Sequence, residues 1–237
     1  METFVILVKL LCAHLCADFI FQTDCINNGK RKQGVKGIIY LLVHALTHGL
    51  ATYLLLAEWS GWFIPLAIFV SHFITDWIKC RFCKNTLPTF LADQFVHIAI
   101  IAILWYAFYG TEIKIPNLAE TVSTKVWLTI AAYILMLRPS SIFLNLFLDK
   151  WTPASPNTQS LPNAGKWIGY IERILILTFI LVGSLESVGF LLAAKSVFRF
   201  GELNKAKEIR TTEYVLIGTF ASFTIAILTG IAITRLF

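Results

Sequence analysis

The sequence predicts an all-α fold, a polytopic transmembrane helical bundle of about seven or eight membrane helices. Three observations carry this expectation. The chain has 237 residues of which 57% are hydrophobic and only 14% charged, too few charges to cover a water-facing surface of ordinary size. Apolar runs of roughly 18 to 22 residues recur along the whole length, enough for a helix rising about 1.5 Å per residue to cross a hydrocarbon core of roughly 30 Å. The runs do not alternate apolar with polar, as barrel strands would.

The spans fall at about 2 to 22, 36 to 57, 62 to 79, 89 to 109, 124 to 146, 167 to 184, 186 to 199 and 213 to 235. The first opens with Glu2 rather than a basic segment and stays apolar past Cys16 to Phe21, so it reads as a retained helix and not a secretion signal. A tight turn at Trp59-Ser60-Gly61 joins the second and third. The seventh is short, which suits a re-entrant or interfacial helix as well as a span. A Pro-, Ser- and Asn-rich loop runs from Trp151 to Asn163. The expected organisation is a four-helix half over 1–110 and a C-terminal membrane half over 111–237 with that loop near 151–163 on the cytoplasmic side.

The net charge of +6 raises the question of nucleic acid, but the basic residues sit in short loops rather than along one stripe, so no nucleic-acid partner is expected. Those loops alternate. Lys30, Arg31, Lys32 and Lys36 follow the first span, Lys79, Arg81 and Lys84 the third, Arg138, Lys150 and Lys166 the fifth, and Lys195, Arg199, Lys205, Lys207 and Arg210 the seventh. The positive-inside tendency puts these loops in the cytoplasm and both termini outside. Five cysteines form no secreted disulfide framework. Cys80 and Cys83 make a lone CxxC that, with Cys25, is read either as unpaired thiols or as part of a zinc knuckle lacking its fourth ligand, whereas Cys12 and Cys16 read as packing residues.

All five histidines lie in the first four spans, each four residues from a partner: His14 with Asp18, His44 with His48, His72 with Asp76, and Asp93 with His97. Four residues is about one helical turn, so each pair shares a face. Spans one and three run toward the basic side and read His then Asp; span four runs away from it and reads Asp then His. Each Asp therefore lies nearer the basic end with its His one turn deeper, and His44 falls at the same His depth. Four unrelated helices have no reason to place ionisable groups in one membrane layer, so a common centre is the economical explanation. Carboxylates at membrane depth cost about 2.5 to 3.5 kcal/mol each on insertion scales unless compensated. Protonated or lysine-paired carboxylates and bound metal are the two ways to compensate them, and few basic residues apart from Lys9 lie within these spans, which favours metal.

The eight residues His14, Asp18, His44, His48, His72, Asp76, Asp93 and His97 are thus the expected ligands of one or two divalent transition-metal ions, zinc first, with iron or manganese also suited to imidazole and carboxylate. Eight exceed what one ion takes, so the surplus serves as orienting groups or as a general base, with Asp18, Asp76, Asp93 and Glu172 the catalytic candidates. Gln22 and Gln94 border the cluster, and Thr47 and Thr75 adjoin it in sequence; each reads equally as an ordinary helix-contact residue. Glu172 reads either as a further ligand or base or as an interfacial salt bridge with Arg173 or Lys166. Lys79 and Arg81 are expected to hold an anionic substrate or to set orientation, and Lys195 and Arg199, one turn apart, to grip a phosphate head group or to snorkel. HLCADFI at His14 and HFITDWI at His72 resemble one another, as a duplicated hairpin or two independent ligand pairs would.

The segments HLCADFIFQ from His14, HALTH at His44, HFITDWIK from His72 and FLADQFVHI around Asp93, together with YIERILIL, ESVGFLLAAKSVFRF and EYVLIGTFASF in the second half, resemble domain-of-unknown-function family 3307 over nearly the whole chain. The resemblance implies a multi-pass protein of the bacterial inner membrane and no settled activity. The HxxxD and HxxxH pairs are more loosely similar to membrane-bound metal-dependent hydrolases, over the first half only. The leading expectation is a metal-dependent hydrolase of an ester or phosphoester, with a small-molecule or lipid substrate, acting near the cytoplasmic leaflet. A carrier of divalent metal ions or protons is the alternative, and di-iron oxidative chemistry a third.

Overall fold

A computed structural model describes residues 3–57, 61–110, 118–152, 163–200 and 209–236. All regular structure among them is helical. Among the described residues five helices are long and apolar enough to cross a membrane: Thr3–Phe21, Gly34–Leu56, Phe63–Phe82, Leu87–Tyr109 and Thr212–Leu236. A sixth span exists if Thr121–Met136 and Arg138–Trp151, bent by 41°, count as one. This corrects the expected seven or eight. The helix at Ala164–Leu181 carries Lys166, Glu172 and Arg173 within 18 residues, and the helix at Leu185–Phe200 has only 16, a rise of about 24 Å against the roughly 30 Å needed.

The chain divides into two compact units, Met1–Ile134 and Leu135–Phe237. In the first unit α1 (Thr3–Leu15) continues as a π-helix, Cys16–Phe21, and is followed by α2 (Asp24–Lys30), α3 (Gly34–Leu56), α4 (Phe63–Phe82), α5 (Leu87–Tyr109) and α6 (Leu118–Met136), whose last residues enter the second unit. α1 packs on α3, α3 on α4, α4 on α5, and α5 back on α1, so four helices close a ring. α2, where a loop was expected, begins at Thr23, whose hydroxyl accepts from the Ile26 amide at 3.4 Å, with Asp24 in its first turn; both favour a helix start. It lies along α3. One part of the ring's interior is apolar, formed by Ile6, Leu10, Leu56, Ile64, Ile68 and Ile101. The outer face of α3 exposes Ile39, Leu42, Val43, Leu46, Leu50 and Leu54, while Leu41, His44, Ala45 and His48 are buried. Apolar residues point outward and histidines inward, the arrangement a lipid surround dictates.

The second unit holds α7 (Arg138–Leu148) and a short 3-10 turn to Trp151, then α8 (Ala164–Leu181), α9 (Leu185–Phe200) and α10 (Ile209–Leu236). α8 packs against α10, α7 and α9, and α10 also packs against α7. The break before α7 falls at Leu137, two residues ahead of Pro139, which lacks an amide hydrogen and ends the preceding helix. The freed carbonyls find other donors. Ser140 Oγ donates to Leu135 O at 2.5 Å, and the buried Arg173 donates from Nε to Met136 O at 2.7 Å and from Nη2 to Leu137 O at 3.4 Å. The expected fifth span, 124 to 146, is therefore not continuous. The turn at Trp59-Ser60 and most of the 151–163 loop lie outside the described residues.

Candidate metal centre

The first unit brings all eight expected residues into one connected cluster. α1 and its π-helical continuation supply His14 and Asp18, α3 His44 and His48, α4 His72 and Asp76, and α5 Asp93 and His97. Seven of the eight are linked by nitrogen-to-carboxylate approaches through Asp18 and Asp76, and Asp93 joins through His97. The π-helix holds Asp18 in a widened turn, with the Gln22 amide reaching back five residues to Ala17 O at 3.1 Å. Such turns are rare and concentrate at functional sites.

Asp18 is the centre of one sub-cluster. His44 Nε2 and His48 Nε2 each lie 3.1 Å from its Oδ1, and His72 Nε2 lies 3.6 Å away. His44 Nε2 and His72 Nε2 are 3.2 Å apart. Four donors bound to one tetrahedral ion at about 2.0 to 2.1 Å are separated by roughly 3.3 Å along each edge, which these distances bracket. Hydrogen bonding alone fits them poorly: His44 Nε2 faces the Asp18 carboxylate at 3.1 Å and His72 Nε2 at 3.2 Å, and one neutral imidazole nitrogen cannot both donate to the first and accept from the second. His44 Nδ1 is buried with no hydrogen-bond partner, so its ring is held from the Nε2 side. His48 and His72 stack with centroids 3.5 Å apart. Asp18, His44, His48 and His72, all buried, could hold a metal ion, and so could His72, Asp76 and His97.

His14 belongs to neither group. Its Nε2 stands 3.6 Å from Asp18 Oδ2 and 3.3 Å from Gln94 Oε1, while Gln94 Nε2 donates to the same Oδ2 at 3.1 Å. His14 and Gln94 therefore steady the carboxylate from the side away from the three imidazoles. Thr75 Oγ1 lies 3.4 Å from His97 Nδ1, and Thr47 donates to its own helix at His44 O.

The other two aspartates correct the expectation that lysine is lacking. Asp76 Oδ2 accepts from Lys30 Nζ at 2.5 Å, and Asp93 Oδ2 from Lys79 Nζ at 2.5 Å. Among the described residues the ion pairs of Asp18 are with histidines alone. Lys30 is the residue the sequence reading missed. It was assigned to an orienting loop, yet α2 carries it to 4% exposure, with a second donation to Gln22 Oε1 at 2.7 Å. The signal that finds it is the Thr23-Asp24 helix start, which turns the loop into an element with a buried face.

The remaining candidates are differently placed. Lys79 pairs with Asp93, and Arg81 is half-buried in the last turn of α4. Glu172 lies in the second unit, where its Oε2 accepts from Lys195 Nζ at 2.6 Å. The Arg199 side chain lies outside the described residues, as do Lys205 and Lys207. Cys12, Cys16, Cys25, Cys80 and Cys83 are free thiols, and no cysteine joins a metal-capable group among the described residues.

Fold and site together define a helical protein with helices long and apolar enough to cross a membrane and a buried His/Asp cluster that could hold a metal ion. The chain belongs to the family described as protein of unknown function (DUF3307), whose model matches residues 6–129. That stretch contains every histidine and aspartate of the cluster, whereas the second-half segments that also suggested the family lie beyond it. No curated protein and no solved structure matches the chain.

Proposed function

We propose that this protein is a membrane-embedded metalloenzyme, a hydrolase of an ester or phosphoester that holds one transition-metal ion, zinc in the first instance, at Asp18, His44, His48 and His72. The observation that carries the reading is the convergence of three imidazole nitrogens on one carboxylate oxygen, at 3.1, 3.1 and 3.6 Å, in the sub-cluster whose carboxylate makes no ion pair with a lysine among the described residues. An ion there would supply Lewis acidity toward a substrate oxygen. The protein's own groups supply the rest. Lys79, whose side chain is 24% exposed, is the most accessible charged group of the cluster and attracts an anionic substrate. Asp93, between Lys79 and His97, is the proton acceptor, with its Oδ1 3.5 Å from His97 Nε2. His14 and Gln94 keep Asp18 oriented.

Catalysis is preferred to transport because Ile6, Leu10, Leu56, Ile64, Ile68 and Ile101 fill part of the ring with apolar side chains, which a route through the bundle would have to cross. The basic residues that follow the first and third long helices, Arg31, Lys32 and Lys36 and then Arg81 and Lys84, support a placement of this site toward the cytoplasmic side of the membrane. A divalent-metal carrier is the second reading, favoured by the fact that four protein donors complete a tetrahedral shell without an open position.

The test is elemental analysis of the gently purified protein, followed by hydrolysis of a chromogenic phosphoester. The wild type is expected to hold one ion per chain and to turn over substrate, and Asp18→Asn and His48→Ala to lose both. Metal-free wild type, or turnover that persists in those variants, overturns the proposal. Metal uptake into proteoliposomes without any hydrolysis transfers it to the carrier reading.

A further inference from the structure

A second ion would need Asp76. This carboxylate stands among three imidazoles, with Oδ2 3.5 Å from His44 Nε2 and 3.9 Å from His72 Nε2, and Oδ1 3.9 Å from His97 Nε2. His72, Asp76 and His97 make a metal-capable group that shares His72 with the group around Asp18; the His72 Nε2 lone pair serves one ion only, so with Asp18 occupied a second ion has Asp76 and His97 to hold it. Its donors are more widely spaced than those around Asp18, and one position is already filled: Lys30 Nζ sits on Asp76 Oδ2 at 2.5 Å.

That lysine is not a flexible surface charge that happens to reach inward. Lys30 and Asp76 have side chains only 5% and 4% exposed, and the ammonium is anchored a second time by Gln22. Its backbone is delivered by a close approach of α2 to α3, since a Cβ on Gly29 would sit 2.4 Å from the Tyr40 ring. Removing the partner of a buried carboxylate leaves an uncompensated charge, so something cationic must stand at Asp76, and the fold supplies it covalently. An ammonium and a divalent ion compete for the same oxygen and repel one another across a few ångströms of low-dielectric interior.

We infer that Lys30 is a tethered cation that takes the place of a second metal ion, so that the chain binds one ion at Asp18 and opens a second site, at Asp76 and His97, only when the lysine is removed. The inference rests on the metal reading above and adds to it the stoichiometry and the residue that sets it. The paired acid and amine then stand beside a single ion, so the centre works with one metal where a dimetal enzyme uses two.

Titration of the purified, metal-stripped full chain with Co²⁺, followed by its visible absorption, reads the stoichiometry directly. Wild type and Lys30→Arg are expected to saturate at one equivalent and Lys30→Met at two. The double variant Lys30→Met with Asp76→Asn, which removes charge and partner together, is expected to return to one. Should Lys30→Met fail to stay monodisperse, Lys30→His puts a ligand where the ammonium was, and the second equivalent must be seen there. A single equivalent in folded Lys30→Met or Lys30→His overturns the inference and leaves the metal reading standing. Two equivalents in the wild type overturn it as well. A wild type that takes up no Co²⁺ fails the metal reading instead, and a first equivalent gained by Lys30→Met in that case upholds the lysine's role alone.

Discussion

At the residue scale the three aspartates of the cluster look alike in sequence, each one turn from a histidine, and the structure makes them unlike. Asp76 and Asp93 carry lysines; Asp18 faces imidazoles and an amide. Asp18→Asn should therefore abolish metal binding, whereas Asp93→Asn should leave the ion in place and slow turnover, a contrast that elemental analysis and a kinetic assay on the same preparations will read. His14→Ala removes a group whose polar contacts among the described residues are with the far oxygen of Asp18 and with Gln94. Loss of such an outer partner lowers metal affinity by roughly 10 to 100-fold, so competition with a chelator of known affinity is expected to show a weakened site, not an absent one. The eight His and Asp residues were legible because four-residue spacing in an apolar helix is itself a signal. Lys30 was not, because its partner is 46 positions away in sequence and nothing local announces an ion pair between elements.

At the element scale, the close approach of α3 to α4 sets the site. A Cβ on Gly49 would stand 3.3 Å from both Phe69 Cβ and Pro65 O, one residue from His48, whose ring stacks on His72. Gly49→Leu is expected to overpack this crossing, destabilise by about 1 to 3 kcal/mol, and spread His48 from His72. Thermal unfolding in detergent checks the first effect and Co²⁺ uptake the second; unchanged uptake would show that the site tolerates a wider crossing. The four long helices of the ring were legible from length and hydropathy alone. Two other features were not. The π-helical turn at Cys16–Phe21 leaves the apolar run of residues unbroken, so no residue type marks it. α8 and α9 looked like spans because apolar residues outnumber the charges in each, but Lys166, Glu172 and Arg173 in one and the length of the other set them apart from the five membrane-length helices.

At the scale of the whole molecule, an apolar exterior around a charged interior reverses the arrangement of a protein folded in water, and the sequence showed it through composition before any contact was known. Leu46 is half-exposed on the outer face of α3 beside the fully buried Ala45. Leu46→Lys is expected to cost about 2.5 to 3.5 kcal/mol on insertion scales and to lower the share of protein that resists alkaline extraction from membranes, while Leu46→Ala leaves that share unchanged. The closed ring has a further consequence, which concerns biogenesis. α1 packs against α3 and also against α5, so it meets its second neighbour only after α5, the fourth long helix of the ring, has been made. Until then Asp18 lacks Gln94 and Asp76 lacks His97, and a carboxylate left in a bilayer without such partners is expensive. Synthesis through Tyr109 is the step that shuts the site, and nascent chains halted before it should be held by the insertion machinery or degraded by membrane proteases, whereas those halted after it should be released and persist.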